Sequence, residues 1–216
     1  MKSLITFLFL CLIQMTTMGQ STNNPSWDLT TSSSLGQSFH YNAPVRFIVC
    51  IEGCPVRDQR PGFFQNYQLN LFKNLSPRHS LGVGFGYSEY RFPTTYYDIL
   101  LGPGDENYFE RNRILPFFTY TLVYNYKFLL RENYNLSIQP SFLLEQYHET
   151  DYVPYAPKWP MSAAIDVQYR KKLFQNFNLL AGAHFRSSIT RYNEKVFFSE
   201  HYPFAYAISF GFTQSW

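Results

Sequence analysis

The stretch FAYAISFGFTQSW, residues 204–216, separates into two registers. Phe204, Tyr206, Ile208, Phe210, Phe212 and Trp216 occupy one, broken only at Gln214. Ala205, Ala207, Ser209, Gly211, Thr213 and Ser215 occupy the other. Successive side chains of a strand point to opposite faces, so this is a strand with one aromatic face and one small, polar face. A half-buried strand of a water-soluble sheet usually carries long charged side chains opposite its apolar face. Small groups opposite large aromatics suit a barrel wall, with hydrocarbon outside and a crowded interior within.

The same alternation recurs upstream. Leu81, Val83, Phe85 and Tyr87 oppose Ser80, Gly82, Gly84, Gly86 and Ser88. Over 114–128, Ile114, Phe118, Tyr120, Leu122, Tyr124, Tyr126 and Phe128 oppose Thr119, Thr121, Asn125 and Lys127. Leu136, Ile138, Phe142 and Leu144 oppose Ser137, Gln139, Ser141 and Glu145. Met161, Ala163, Ile165, Val167 and Tyr169 oppose Ser162, Asp166, Gln168 and Arg170. Phe177, Leu179, Ala181, Ala183, Phe185 and Ile189 oppose Asn178, Gly182, His184, Arg186 and Ser188. Two weaker strands, 63–73 and 27–39, complete a set of about eight, each long enough to cross a bilayer when tilted.

The connections alternate in length. Short ones fall near 74–79, 129–134 and 171–176, and long ones at 40–62, 92–113, 150–160 and 191–201. Short turns at one rim and long loops at the other are the wiring of an outer-membrane barrel, with the short turns periplasmic. The expected fold is all-β: a closed, antiparallel, eight-stranded transmembrane barrel with meander order. Pairing of Val45–Ile51 inside the first long loop would raise the count to about ten.

Composition agrees. Aromatic residues make up 20% of the chain and charged residues only 15%, the reverse of the balance expected in a water-soluble domain. Lys2, the apolar run Leu4–Ile13 and the small residues before Gln20 read as an export signal over 1–19, leaving the barrel domain at 20–216. Losing Lys2 takes the net charge from +3 to +2, which argues against nucleic-acid binding. Cys50 and Cys54 are the two cysteines outside the signal. An even pair in an exported protein is expected to form a disulfide.

The chain resembles the small outer-membrane β-barrel proteins of Gram-negative bacteria, of the eight-stranded OmpX/OmpA-barrel type. The likeness spans residues from about 26 to 216 and rests on strand rhythm rather than on a signature motif. It implies a bacterial outer-membrane location, reached through the periplasm. It also implies partnership with the barrel-assembly machinery, which in that class reads an aromatic residue ending the last strand. Phe210, Phe212 and Trp216 resemble that signal, although Phe is the more usual final residue.

An eight-stranded barrel is just wide enough for side chains to fill it, which disfavours a pore. Strand counting puts Glu145, Asp166 and Arg186 inside at similar heights, with His184 one inward position below Arg186. One reading is a buried ion-pair network of Glu145, Asp166 and Arg186. The other is a catalytic group of Glu145, Asp166 and His184. Lipid A deacylases in this fold class use a His-x-Ser arrangement, and His184-Phe185-Arg186 lacks the serine. The histidines His40, His79, His148 and His201 scatter near the rims and suggest no metal site. Gly82, Gly84 and Gly86, at strict period two in a strand, make room for large side chains across the lumen rather than a phosphate loop.

Arg91, Arg111, Arg113, Lys158, Arg191 and Lys195 fall at the outer rim, where arginine forks suit the phosphates of outer-membrane lipid, lipopolysaccharide included. Tyr87, Tyr124, Tyr126, Tyr147, Trp159, Tyr202 and Trp216 are expected in the interfacial aromatic girdles. No cofactor is indicated. The leading function is structural or surface-binding, through extracellular loops that present a contact surface. The alternatives are a lipid-modifying enzyme and a narrow channel.

Overall fold

The computed structural model describes residues 27–42, 54–55, 61–97, 108–147, 159–190, 192–194 and 199–216. Along the chain run β1 (Trp27–Asn42), β2 (Cys54–Pro55), β3 (Gly62–Asn74), β4 (His79–Tyr97) and β5 (Tyr108–Leu130). They are followed by β6 (Tyr134–Tyr147), β7 (Met161–Phe174), β8 (Phe177–Ser188), β9 (Tyr192–Glu194) and β10 (Ser199–Ser215). β1 pairs with β3, each following strand with its successor as far as β8, and β8 with β10. β10 then returns to β1, antiparallel from Asp28↔Ser215 to Asn42↔His201. Eight long strands thus close into a meander barrel with no free edge in its wall. The short β2 and β9 lie above it, on Tyr96–Tyr97 of β4 and on the start of β10.

The period-two pattern decides what each face meets. Val83, Ile208 and Phe210 are each 60% exposed, and the outward positions of the wall strands other than β1 are mostly Leu, Ile, Val, Phe, Tyr or Ala. Inward positions are buried and mostly polar: Thr30, Ser34, Asn66, Asn70, Thr119, Thr121, Asn125, Gln139 and Gln168 among them. Some pair across strands, as in Thr30–Thr213 at 3.0 Å and Gln139 Nε2 donating to Asn125 Oδ1 at 3.0 Å. A water-soluble barrel would turn this arrangement inside out. The large exposed apolar belt instead meets lipid, and closure satisfies the backbone groups inside it.

Three tight turns, 75–78, 131–133 and 175–176, sit at the rim shared with Trp27 and Trp216. Ser76 shapes the first, its Oγ accepting from the backbone of His79 at 3.2 Å. Trp27 and Trp216 exchange backbone hydrogen bonds of 3.1 and 3.0 Å. At this end the alternation breaks: Thr213 and Gln214 are both buried.

Two expectations about the other rim need correction. The expected long loop 92–113 is largely strand, because β4 and β5 stay paired as far as Tyr97↔Tyr108. A two-stranded ribbon satisfies its own backbone on the shared side and so projects beyond the wall. Likewise β10 begins at Ser199, inside the expected loop 191–201. Val45–Ile51 and residues 1–26 lie outside the described residues.

Candidate functional site

The upper lumen gathers the inward charges, but not in the expected grouping. Arg186 of β8 forms an ion pair with Glu145 of β6, and both side chains are fully enclosed. β7 runs between their strands, and the residue it sets opposite Arg186 is Ala164, small enough to be bridged over. Asp166 does not join this pair. It stands opposite His184 in the β7–β8 register, and its Oδ1 accepts from His184 Nδ1 at 2.9 Å. The four residues therefore form two separate pairs, one ionic and one hydrogen-bonded. Strand counting had placed Asp166 level with Glu145, but barrel tilt offsets residues of equal height along successive strands.

Aromatic rings enclose both units. Phe64 stacks on His184 with centroids 5.7 Å apart, and the Arg186 guanidinium lies 5.9 Å from the Phe64 ring and 5.5 Å from the Tyr90 ring. Tyr90 contacts Phe64 at 4.9 Å and Phe117 at 6.2 Å, and Phe117 contacts Tyr147 at 5.6 Å. Together with Leu115, Ala205 and Ala207 they form an apolar cluster inside the barrel. This tier was not anticipated from the sequence, whose inward positions read as small and polar. The signal was present in the doublets Phe63-Phe64 and Phe117-Phe118, since two adjacent aromatics in a strand must face both ways. Tyr147, expected in the outer girdle, turns inward for the same reason of parity: Leu143 and Glu145 share its face.

A second charged group, also missed, lies towards the turns. Arg170 is buried, donates to Gln168 Oε1 at 3.1 and 3.3 Å, and lies over the Phe72 ring at 5.9 Å. Asp28 is near enough to act electrostatically on both Arg170 and Lys127. The glycines of β4 open space towards the neighbouring strand, not across the lumen. A Cβ on Gly82 would meet Phe72 Cδ1 at 2.7 Å, and one on Gly84 would meet Asn70 Oδ1 at 1.9 Å.

Other expected site residues are less informative. His79 contacts Tyr124 and Tyr126 at the turn rim. Cys50, His148, Lys158, Arg191 and Lys195 lie outside the described residues, and for His40, Cys54, Arg111, Arg113 and His201 only the backbone is described. Among the described residues no cluster of His, Cys, Asp and Glu is arranged to hold a metal ion.

No family model matches this chain, and no curated protein matches it. Among solved structures it is similar to Neisserial surface protein A, at 8% identity and a TM-score of 0.48, covering 88% of this chain and 97% of that one. It is similar to the outer membrane protein OprG from Pseudomonas aeruginosa at 7% identity and a TM-score of 0.49, with the same coverage of 88% and 97%. The outer membrane protease OmpT from Escherichia coli aligns at 11% identity and a TM-score of 0.42, over 91% of this chain and 100% of that one. The architecture here stands on the chain's own register: a closed antiparallel eight-stranded meander with an exposed apolar belt. This is a closed β-barrel of the membrane-spanning kind.

Proposed function

We propose that this barrel is a non-enzymatic, closed outer-membrane protein of structural or surface-binding type, whose outer connections present a contact surface. The observation that carries the reading is the filled upper lumen, where Phe64, Tyr90, Leu115 and Phe117 pack beside the Arg186–Glu145 pair. Eight strands enclose about as much space as such side chains occupy. These side chains occupy the level that a solute path would cross, and Phe64 covers one face of the His184 ring.

One observation favours the lipid-modifying alternative. A carboxylate orienting an imidazole is half of a general-base device, and Asp166 holds His184 in that way. Among the described residues, however, His184 Nε2 has no hydrogen-bond partner, so no nucleophile stands against it. Outer-membrane lipid and, during biogenesis, the assembly machinery are the partners this reading requires, with Phe210, Phe212 and Trp216 as the assembly signal.

Planar-bilayer recording and lipid A mass spectrometry test the reading together. The reconstituted protein is expected to give no conductance steps, and its expression to leave lipid A mass unchanged. Discrete openings would replace this reading with the channel. A mass change abolished by Glu145→Gln or His184→Ala would replace it with the enzyme.

A further inference from the structure

Glu89 and Arg91 lie on the outward register of β4, in line with Leu81, Val83, Phe85 and Tyr87. A charge pair on the lipid-facing side of a wall calls for an explanation, because unsolvated charge is costly there. Eight residues of strand separate Leu81 from Glu89. At roughly 3.4 Å per residue and a tilt near 40° that is about 20 Å, which sets Glu89 at the upper edge of an apolar band roughly 25 Å tall. Glu89 is only 7% exposed. Its carboxylate accepts from Tyr87 Oη at 3.0 Å and from Arg91 Nε. Arg91 lies 5.9 Å from the Phe63 ring, and its side chain is 49% exposed. Its terminal amino groups have no hydrogen-bond partner among the described residues.

The polar surface continues sideways. Gln65 of β3 is the register partner of Glu89, and Leu35 of β1 that of Gln65. One outward step up β1 stands Gln37, accepting from the Tyr206 hydroxyl of β10. Four adjacent strands, β10, β1, β3 and β4, thus carry hydrogen-bonding groups at this height on one side of the barrel. The outward positions at the same end of β5, β6 and β7 are Ile114, Pro116, Phe118, Leu144, Gln146, Met161 and Ala163, apolar but for Gln146. Directly below the polar surface, β1 turns Thr31 and Ser33 outward between taller neighbours, Phe212 and Leu69 beside Thr31 and Phe210 and Tyr67 beside Ser33. The wall is shallow there.

We infer that this face holds one phosphorylated outer-leaflet lipid, with its phosphate on Arg91, its polar head-group atoms on Gln37 and Gln65, and an acyl chain lying over Thr31 and Ser33. The chemistry is complementary at each level: a half-exposed guanidinium suits phosphate, amides suit head-group oxygens, and the shallow track admits a chain between aromatic ridges. Glu89 acts as a positioning residue, fixing the guanidinium by its Nε and leaving the terminal nitrogens outward. The inference rests on the barrel being membrane-embedded, which the detergent dependence of the purified protein tests separately.

The test is native mass spectrometry of the detergent-solubilised protein titrated with diphosphoryl lipid A, and separately with a glucosyl diacylglycerol that lacks phosphate. The wild-type protein is expected to retain one lipid A and not the glycolipid. Arg91→Gln removes a charge-assisted contact and should weaken retention about tenfold. Ser33→Phe fills the track and should weaken it similarly, while Val83→Phe, equally lipid-facing, should not. Equal retention by wild type, Arg91→Gln and Ser33→Phe overturns the inference, as does equal loss in Val83→Phe. Equal retention of the phosphate-free glycolipid overturns the role of Arg91. A dimer that buries this face would assign it to a second copy instead.

Discussion

Phe64 and His184 lie ring on ring, with centroids 5.7 Å apart and planes 3° from parallel, although two strands separate theirs. The register explains the contact. Gly36 of β1 pairs with Phe64 on one side and Ala207 of β10 on the other, and Ala207 pairs with His184. The two smallest side chains in the protein repertoire occupy the ground between the rings, so the rings meet above them.

Gly36 should therefore resist substitution. A Cβ there would lie 2.0 Å from the Tyr206 carbonyl oxygen and 2.4 Å from Ala207 Cα. Those are backbone atoms of the seam that closes the barrel, and they cannot swing aside. Gly36→Val is expected to destabilise the barrel by about 1–3 kcal/mol, read as a lower urea midpoint in detergent. A midpoint equal to wild type would show that the seam yields more readily than the register implies.

The Glu145–Arg186 pair should be strongly coupled. Removing one partner leaves the other charged in an enclosed site and is expected to cost about 3–5 kcal/mol. Glu145→Gln and Arg186→Met should each lower stability by that order, and the double variant by much less than their sum. A double-mutant cycle that proves additive would mean that water already reaches the pair.

His184→Ala removes both the Asp166 hydrogen bond and the Phe64 stack, and a loss of about 2–3 kcal/mol is expected. Asp166→Asn should cost less, because its amide oxygen still accepts from Nδ1. If Asp166→Asn proved the more damaging, the stack on Phe64 would not be the main anchor of His184.

The seal can be opened. Phe64→Ala combined with Phe117→Ala empties most of the aromatic tier and should convert a silent barrel into a conducting one in planar bilayers. Heat-dependent gel mobility will report whether the double variant is folded. A folded but silent variant would place the block at the lower group of Asp28, Lys127 and Arg170.

The outward face can be tested by charge. Phe210→Arg, in mid-wall, should cost about 2–4 kcal/mol, and Ser187→Arg, near the outer rim, about 0–1 kcal/mol. Similar costs at the two positions would be incompatible with a lipid-facing belt.

The strand order, the closing strand and the inside–outside assignment were all legible in the chain, because alternation is a local property that survives without knowledge of partners. Val83, Phe85 and Ile208 could be assigned to the lipid from their own neighbours. Asp166 could not be assigned to His184 in this way. Its partner depends on the stagger between β6, β7 and β8, which no single strand encodes.

The same distinction covers the remaining surprises. Tyr147 was read by residue type, as girdle, and Phe64 and Phe117 were given no face, when parity turns all three inward. Glu89 and Arg91 were passed over or read as rim charge, when parity turns them towards lipid. The sequence alone determined that this is a closed membrane barrel, since two-residue periodicity and paired turn lengths follow from backbone geometry. Only the tertiary structure decided which inward groups meet, because closure with tilt brings together residues that are neither sequence neighbours nor level on their strands.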